Sequence, residues 1–215
     1  MHKECFPDQG WKVLGLIVNI MASYNAVLAG GTALALHIGH RESGDLDFFT
    51  TTPFRVDSVI SDIRKTGQEF SIRSEGPEHV VALIDGIKFS LFLYDYPFID
   101  GVTQYEGVHV ASMLDIAAMK AIAISQRGTK RDFVDLYFIL QDLPFHKIAQ
   151  HMVQRFGKER INPILMGKAF VYFADAESNP EPRYTGEGVG WNKVKDFFRK
   201  HVKQFVLDLS AAVLD

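Results

Sequence analysis

Two aspartates one residue apart, Asp45 and Asp47, follow a glycine pair, Gly30 and Gly31, within the segment VLAGGTALALHIGHRESGDLDFF (27–49). On an apolar strand, side chains two positions apart project from the same face, so both carboxylates can reach a single divalent cation. A glycine pair between a strand and a helix lets backbone N–H groups approach an anion with no Cβ in the way. The chemistry these residue types suit is the holding of a metal-bound triphosphate.

The elements that must position these groups follow from hydrophobic spacing and turn residues. Trp11, Val13, Leu14, Ile17, Val18 and Met21 recur at helical spacing and predict a helix over 10–21. A strand is expected at 27–29, a short helix at 32–38 with Gly39 suited to its C-terminal cap, and a second strand at 46–49. A helix over 56–65 precedes strands at 70–73, 80–84 and 87–94, the last two joined by Asp85-Gly86, a strong two-residue hairpin signal. Beyond Val110 the pattern turns helical, over 111–126, 131–140, 145–156 and 161–173. A turn-rich segment, 177–190, leads into a last helix over 191–209. The expected fold class is therefore α+β, with a mixed β-sheet core in 1–110 and a helical C-terminal region in 111–215.

Composition narrows the class further. The chain has 215 residues, 47% hydrophobic and 23% charged, which suits a globular protein with one sizeable core and argues against disorder. No apolar run approaches the roughly 18 residues that span a bilayer, and the opening MHKECFPDQG lacks the apolar centre of a secretory signal. The expected address is cytoplasmic. Cys5 is the single cysteine, which excludes an internal disulfide and a Cys-cluster zinc site. A net charge of −3 provides no global attraction to nucleic acid, so any such contact needs a local basic surface.

Two familiar motifs are set aside. His37-Ile38-Gly39-His40 spells the HIGH tetrapeptide of one class of aminoacyl-tRNA synthetases. Here it follows a helix instead of opening one, and no KMSKS-like lysine loop comes after it. Neither GxxxxGK[ST] nor GxGxxG is present, so Gly30-Gly31-Thr32 is not a P-loop or Rossmann turn.

The array Gly30-Gly31-Thr32-Ala33-Leu34, His40-Arg41, Ser43 and Asp45-Leu46-Asp47-Phe48-Phe49 resembles motif I of the AbiEii/AbiGii toxin family. These are minimal nucleotidyltransferases related to the DNA polymerase β superfamily. A second block, Lys120 through Arg127, Lys130-Arg131-Asp132, Asp135-Leu136-Tyr137, resembles the family's helical K…RxxxRDxxDLY signature. The resemblance covers roughly 25–140, with a looser echo at Tyr172-Phe173 and 191–198.

The resemblance implies a nucleotidyltransferase-like sheet core flanked by helices. It also implies transfer of a nucleoside monophosphate from an NTP to an acceptor hydroxyl. Asp45 and Asp47 would be catalytic and would hold Mg²⁺ or Mn²⁺. Gly30, Gly31, Thr32, Arg41 and Ser43 would bind the nucleotide, through backbone N–H groups, hydroxyls and a charged fork. Lys120 and Asp135 would be catalytic, Arg131 would bind the nucleotide, and Arg131 and Asp132 would shape the same wall. Read without the family, the glycines fit an ordinary strand-to-helix turn, Arg41 could pair with Glu42 or Asp45, and Arg131 could form a surface salt bridge with Asp135.

One position departs from the superfamily pattern. A third carboxylate usually stands on a later strand beside the Asp-x-Asp strand, and in IKFSLF (87–92) its equivalent is Ser90. Asp95 is five residues on, an odd step that points it to the other face. That substitution leaves a second reading open, a nucleotide-binding pseudoenzyme or regulatory module. A third differs in acceptor, a sugar or antibiotic nucleotidyltransferase. The first reading implies the toxin of a toxin–antitoxin pair, with RNA or tRNA as acceptor, a cognate antitoxin as partner and no membrane. On the last helix, Trp191, Val194, Phe198, Val202, Phe205 and Leu209 form an apolar stripe beside the basic Lys193, Lys195, Arg199, Lys200 and Lys203. That basic flank is either a solvated face or an RNA-facing one.

Overall fold

A computed structural model describes residues 1–214. They form two compact units that meet in the chain between Ser112 and Met113. No helix among the described residues is long and apolar enough to cross a membrane.

The first unit opens with α1 (Asp8–Ser23), which turns Val13, Leu14, Ile17 and Met21 into the core at the predicted spacing. β1 (Val27–Leu28) runs straight into α2 (Gly30–Ile38), whose residues Thr32 to Leu36 are buried. α2 stops at Gly39, where φ is +66° and the amide donates to the Ala35 carbonyl at 2.8 Å. This left-handed cap is one glycine adopts readily. His37 therefore lies in the last turn of a helix, consistent with discarding the HIGH motif.

β2 (Leu46–Thr50) alternates strictly, burying Leu46, Phe48 and Thr50 while Asp47 and Phe49 stay partly exposed. After α3 (Val56–Arg64) come β3 (Phe70–Gly76), β4 (His79–Ile84), β5 (Ile87–Leu93), β6 (Val102–Tyr105) and β7 (Val108–Ala111). Asp85 and Gly86 both take positive φ, +47° and +80°, as a two-residue hairpin requires. Glu106 and Gly107 repeat that geometry at +48° and +81° and join β6 to β7, a hairpin the sequence reading passes over.

All seven strands form one sheet in the order β3-β4-β5-β2-β1-β7-β6. β2 lies at its centre, antiparallel to β1 and parallel to β5. Ala111, expected to open a helix, instead ends β7. Leu28 pairs there with Val110 in a parallel ladder, a contact that no local pattern announces.

The second unit is helical: α4 (Met113–Gln126), α5 (Lys130–Asp142), α6 (Phe145–Phe156), α7 (Pro163–Phe170), α8 (Ala174–Glu177) and α9 (Trp191–Leu214). The Thr129 side chain caps α5 by accepting from the Asp132 amide, and Asn162 caps α7 by accepting from the Leu165 amide at 3.0 Å. The helix expected over 161–173 is broken, because α7 ends at Phe170 and α8 restarts at Ala174. Phe198 on α9 packs its ring 5.2 Å from that of Phe133, and Phe205 sits 4.3 Å from Phe145. These contacts bury the stripe read from the sequence, with Val202 at its margin.

Candidate active site

In the sheet unit, the glycine turn and the paired aspartates are held together by the β1–β2 pairing. The Ala29 amide donates to the Asp47 carbonyl at 3.0 Å, and the chain then enters α2 through Gly30 at φ +69°. A Cβ on Gly30 would stand 3.2 Å from Oδ2 of Asp47. A Cβ on Gly31 would stand 2.4 Å from a guanidinium nitrogen of Arg41. Gly30 is favoured by its backbone angle, and a side chain at either position would have to displace Asp47 or Arg41. The first N–H groups of α2 have no acceptor within the helix, which suits them to an anion.

Arg41 is almost fully buried, 3% exposed, and Nη1 donates to the Glu42 carbonyl at 2.9 Å. The Thr32 hydroxyl lies 2.9 Å from Ser43 Oγ and within hydrogen-bond reach of the Asp45 carbonyl. A carbonyl can only accept, so Thr32 donates to Asp45 and takes the Ser43 hydroxyl as its own donor. Thr32 was expected to offer its hydroxyl to phosphate. The structure uses that hydroxyl to tie the helix to the carboxylate strand, so the backbone N–H is what this position has to give.

Asp45 and Asp47 lie on the same face, Asp45 just before β2 and Asp47 within it. Ser90 on β5 is the register partner of Asp47, and its Oγ donates to Oδ1 of Asp47 at 2.7 Å. Two residues earlier, Lys88 Nζ lies 3.6 Å from Oδ2 of Asp45, with both side chains about half exposed. Asp95 falls beyond the end of β5. The sequence reading singled out Ser90 and missed Lys88, although the same parity of two would have placed them together.

No cluster of three or more acidic, His or Cys side chains suited to a metal occurs among the described residues. The donor set still fits Mg²⁺, a hard cation that commonly takes one or two carboxylates and fills its remaining positions with water and substrate phosphates. The space beside Oδ2 of Asp47, which any side chain at position 30 would crowd, is consistent with that.

In the helical unit, Lys120 Nζ lies 2.6 Å from Oδ2 of Asp135 and 3.0 Å from Oδ1 of Asp132. Arg127 adds a fork to Asp132 through Nε at 3.1 Å and Nη2 at 3.3 Å, and the Thr129 hydroxyl donates to it at 2.7 Å. Burial works to raise the Asp132 pKa. The Lys120 charge and the Arg127 and Thr129 hydrogen bonds outweigh it and hold the carboxyl below its ordinary range. Lys120, Asp132 and Asp135 are buried, so they form an internal network and not a pair of surface bridges. Arg131, expected to bind nucleotide, is exposed and makes no hydrogen bond or ion pair among the described residues. The surface bridge from Arg131 to Asp135 is absent, because Asp135 turns inward to Lys120.

Paired aspartates on a central strand, beside a glycine turn that opens a helix in a mixed sheet, are the arrangement of a nucleotidyltransferase. Residues 21–106 and 94–198 match the family model of the nucleotidyl transferase AbiEii toxin, a type IV toxin–antitoxin system. The chain belongs to this family and is a nucleotidyltransferase of the toxin type. An uncharacterized protein of Aquifex aeolicus, aq_aa25, is 35% identical over 202 residues, spanning 91% of this chain and 95% of that one. The fold is shared with a crystal structure of a proposed nucleotidyltransferase from H. pylori, at a TM-score of 0.58 with 17% identity and 98% of both chains covered. It is also shared with MenT4, a nucleotidyltransferase toxin from Mycobacterium tuberculosis H37Rv, at a TM-score of 0.56 with 16% identity, covering 96% of this chain and 91% of that one.

Proposed function

We propose that the protein transfers a nucleoside monophosphate from an NTP to a hydroxyl of an RNA, with a tRNA end as a fitting acceptor, using Mg²⁺ or Mn²⁺. The observation that carries this reading is the pair Asp45 and Asp47 on one face of the sheet beside the Gly30-Gly31 turn. In the reaction the acceptor hydroxyl gives up its proton to solvent as its oxygen bonds to the α-phosphorus, the bond from that phosphorus to the bridging oxygen breaks, and pyrophosphate leaves. When bound, the divalent cation neutralises phosphate charge and stabilises the leaving group.

Asp45 and Asp47 would hold that ion. The backbone N–H groups of Gly31 and Thr32 would receive phosphate oxygens at the N-terminus of α2. Arg41, pressed against Gly31, adds fixed positive charge there, and Ser43 keeps the Thr32 tie in place. Lys120 and Asp135 carry the second block of the family signature, and their catalytic role is part of this proposal. As a toxin of a type IV system, the protein would be countered by a cognate antitoxin, in the cytoplasm.

A second reading is nucleotide binding without transfer, favoured by Ser90 where a carboxylate is usual. The two separate cleanly. Purified protein is incubated with each α-labelled NTP, Mg²⁺ and total tRNA, beside Asp47→Ala. The expected result is labelled RNA with wild type and a loss of at least about a hundredfold with the variant, as for removal of a charge-stabilising group. Nucleotide binding with no label on RNA, protein or small acceptors would establish the second reading. Label on a sugar or aminoglycoside alone would move the acceptor to a small molecule.

A further inference from the structure

Two neighbours of the paired aspartates on β5 change the charge that this face carries. Ser90 stands opposite Asp47 in register and binds it by a neutral hydrogen bond of 2.7 Å. Lys88, on the same side of β5, brings its ammonium to 3.6 Å from Asp45. Two divalent cations about 3.5–4 Å apart need a shared, strongly negative donor set to hold them. With a carboxylate at position 90 the face would present three negative charges. Instead it presents two, with a resident positive charge on the Asp45 side.

Resting on the nucleotidyl-transfer reading, we infer that this site takes one divalent cation with its nucleotide, and that Lys88 supplies from the chain the positive charge a second ion would bring. Three features support it together. The ammonium is tethered at Oδ2 of Asp45, the carboxylate farther from Ser90, so it screens Asp45 while leaving its other oxygen and Oδ2 of Asp47 to the ion. The Ser90 hydroxyl fixes the rotamer of Asp47 without adding a negative charge that would recruit a second cation. Lys88 is about half exposed, so its place beside Asp45 is not forced by core packing and answers instead to the charge it faces. Lys88 then belongs to the working face of the sheet, although the family signature read from the sequence does not include it.

The test counts ions. Full-length protein is dialysed to equilibrium against Mn²⁺ with each of the non-hydrolysable ribonucleoside triphosphates, and bound Mn²⁺ is measured by electron paramagnetic resonance. Wild type is expected to hold one Mn²⁺ per chain in the nucleotide complex. Removing the neighbouring charge in Lys88→Gln should tighten binding of Mn²⁺ alone by about fivefold, the scale of one unit charge near 4 Å in water. Lys88→Gln with Ser90→Asp should hold two ions, while Lys88→Arg should keep one. Two ions in wild type, or an unchanged Mn²⁺ affinity in Lys88→Gln, would overturn the inference and leave nucleotidyl transfer standing. No Mn²⁺ bound to wild type with any of the nucleotides would instead remove the transfer reading and this inference with it.

Discussion

Lys120 and Asp135 meet at 2.6 Å inside the helical unit, with the lysine side chain 8% exposed and the aspartate wholly buried. Asp132, 3.0 Å from the same ammonium, is 1% exposed. One cation therefore serves two buried carboxylates, which lie one turn apart on α5. Family resemblance assigned Lys120 and Asp135 to chemistry, and their burial adds a structural duty that mutagenesis must separate from it.

Breaking this pair from one side should cost far more than removing it whole. Lys120→Met takes the shared ammonium from two buried carboxylates, of which Asp132 keeps Arg127 and Thr129, and is expected to destabilise the protein by about 3 kcal/mol. Adding Asp135→Leu should recover part of that loss. Urea midpoints of the two single variants and the double give the coupling directly. A Lys120→Met cost within about 0.5 kcal/mol of zero would show that the pair is not coupled.

Asp132 sets an acid limit on stability. Its folded-state pKa lies below the ordinary 3.8, so on unfolding it takes up protons over that interval. Its contribution is complete above the unfolded value and disappears as pH falls through the folded one. Wild type should therefore lose stability relative to Asp132→Asn as pH drops below about 4, while the difference between them stays flat from about pH 5 to 8. Urea denaturation across that range reads the difference. A gap that is constant down to about pH 3 would contradict the lowered pKa.

Gly30→Ala tests the turn itself. An alanine at φ +69° costs about 1 kcal/mol, and its Cβ, 3.2 Å from Oδ2 of Asp47, would crowd the carboxylate. The melting temperature should fall by roughly 3 °C for each kcal/mol in a chain of this size, and Mn²⁺ binding should weaken. Gly44→Ala is the control, because nothing lies within 4 Å of the Cβ it would add. Equal effects from both variants would deny Gly30 a special place.

A second buried network lies in the helical unit and was not read from the sequence. Asp115 accepts from His151 Nε2 at 2.9 Å and from Arg155 Nη1 at 3.1 Å, and its carbonyl takes another bond from Arg155 at 3.0 Å. Both the aspartate and the arginine are fully buried. Asp115→Ala takes the carboxylate away from the buried Arg155 charge and should cost about 3–5 kcal/mol. Thermal melts of Asp115→Ala beside the exposed Asp196→Ala should show a large loss only for the first.

The sequence by itself determined what local chemistry determines. The step of two between Asp45 and Asp47 placed both carboxylates on one face, and Gly30-Gly31 marked the strand-to-helix turn. Asp85-Gly86 required a hairpin, and the apolar stripe of α9 declared its buried side. Each is written in neighbouring residues through periodicity, turn geometry or capping. Tertiary structure decided which strands lie side by side. β7 joins β1 in parallel from far along the chain, drawing Ala111 from an expected helix into a strand. β5 lies against β2 so that Ser90 meets Asp47 and Lys88 meets Asp45. Asp115 finds His151 and Arg155 only when α4 and α6 pack. Such pairings depend on loop closure and on burial summed over the whole sheet or bundle, and no window of sequence carries that sum.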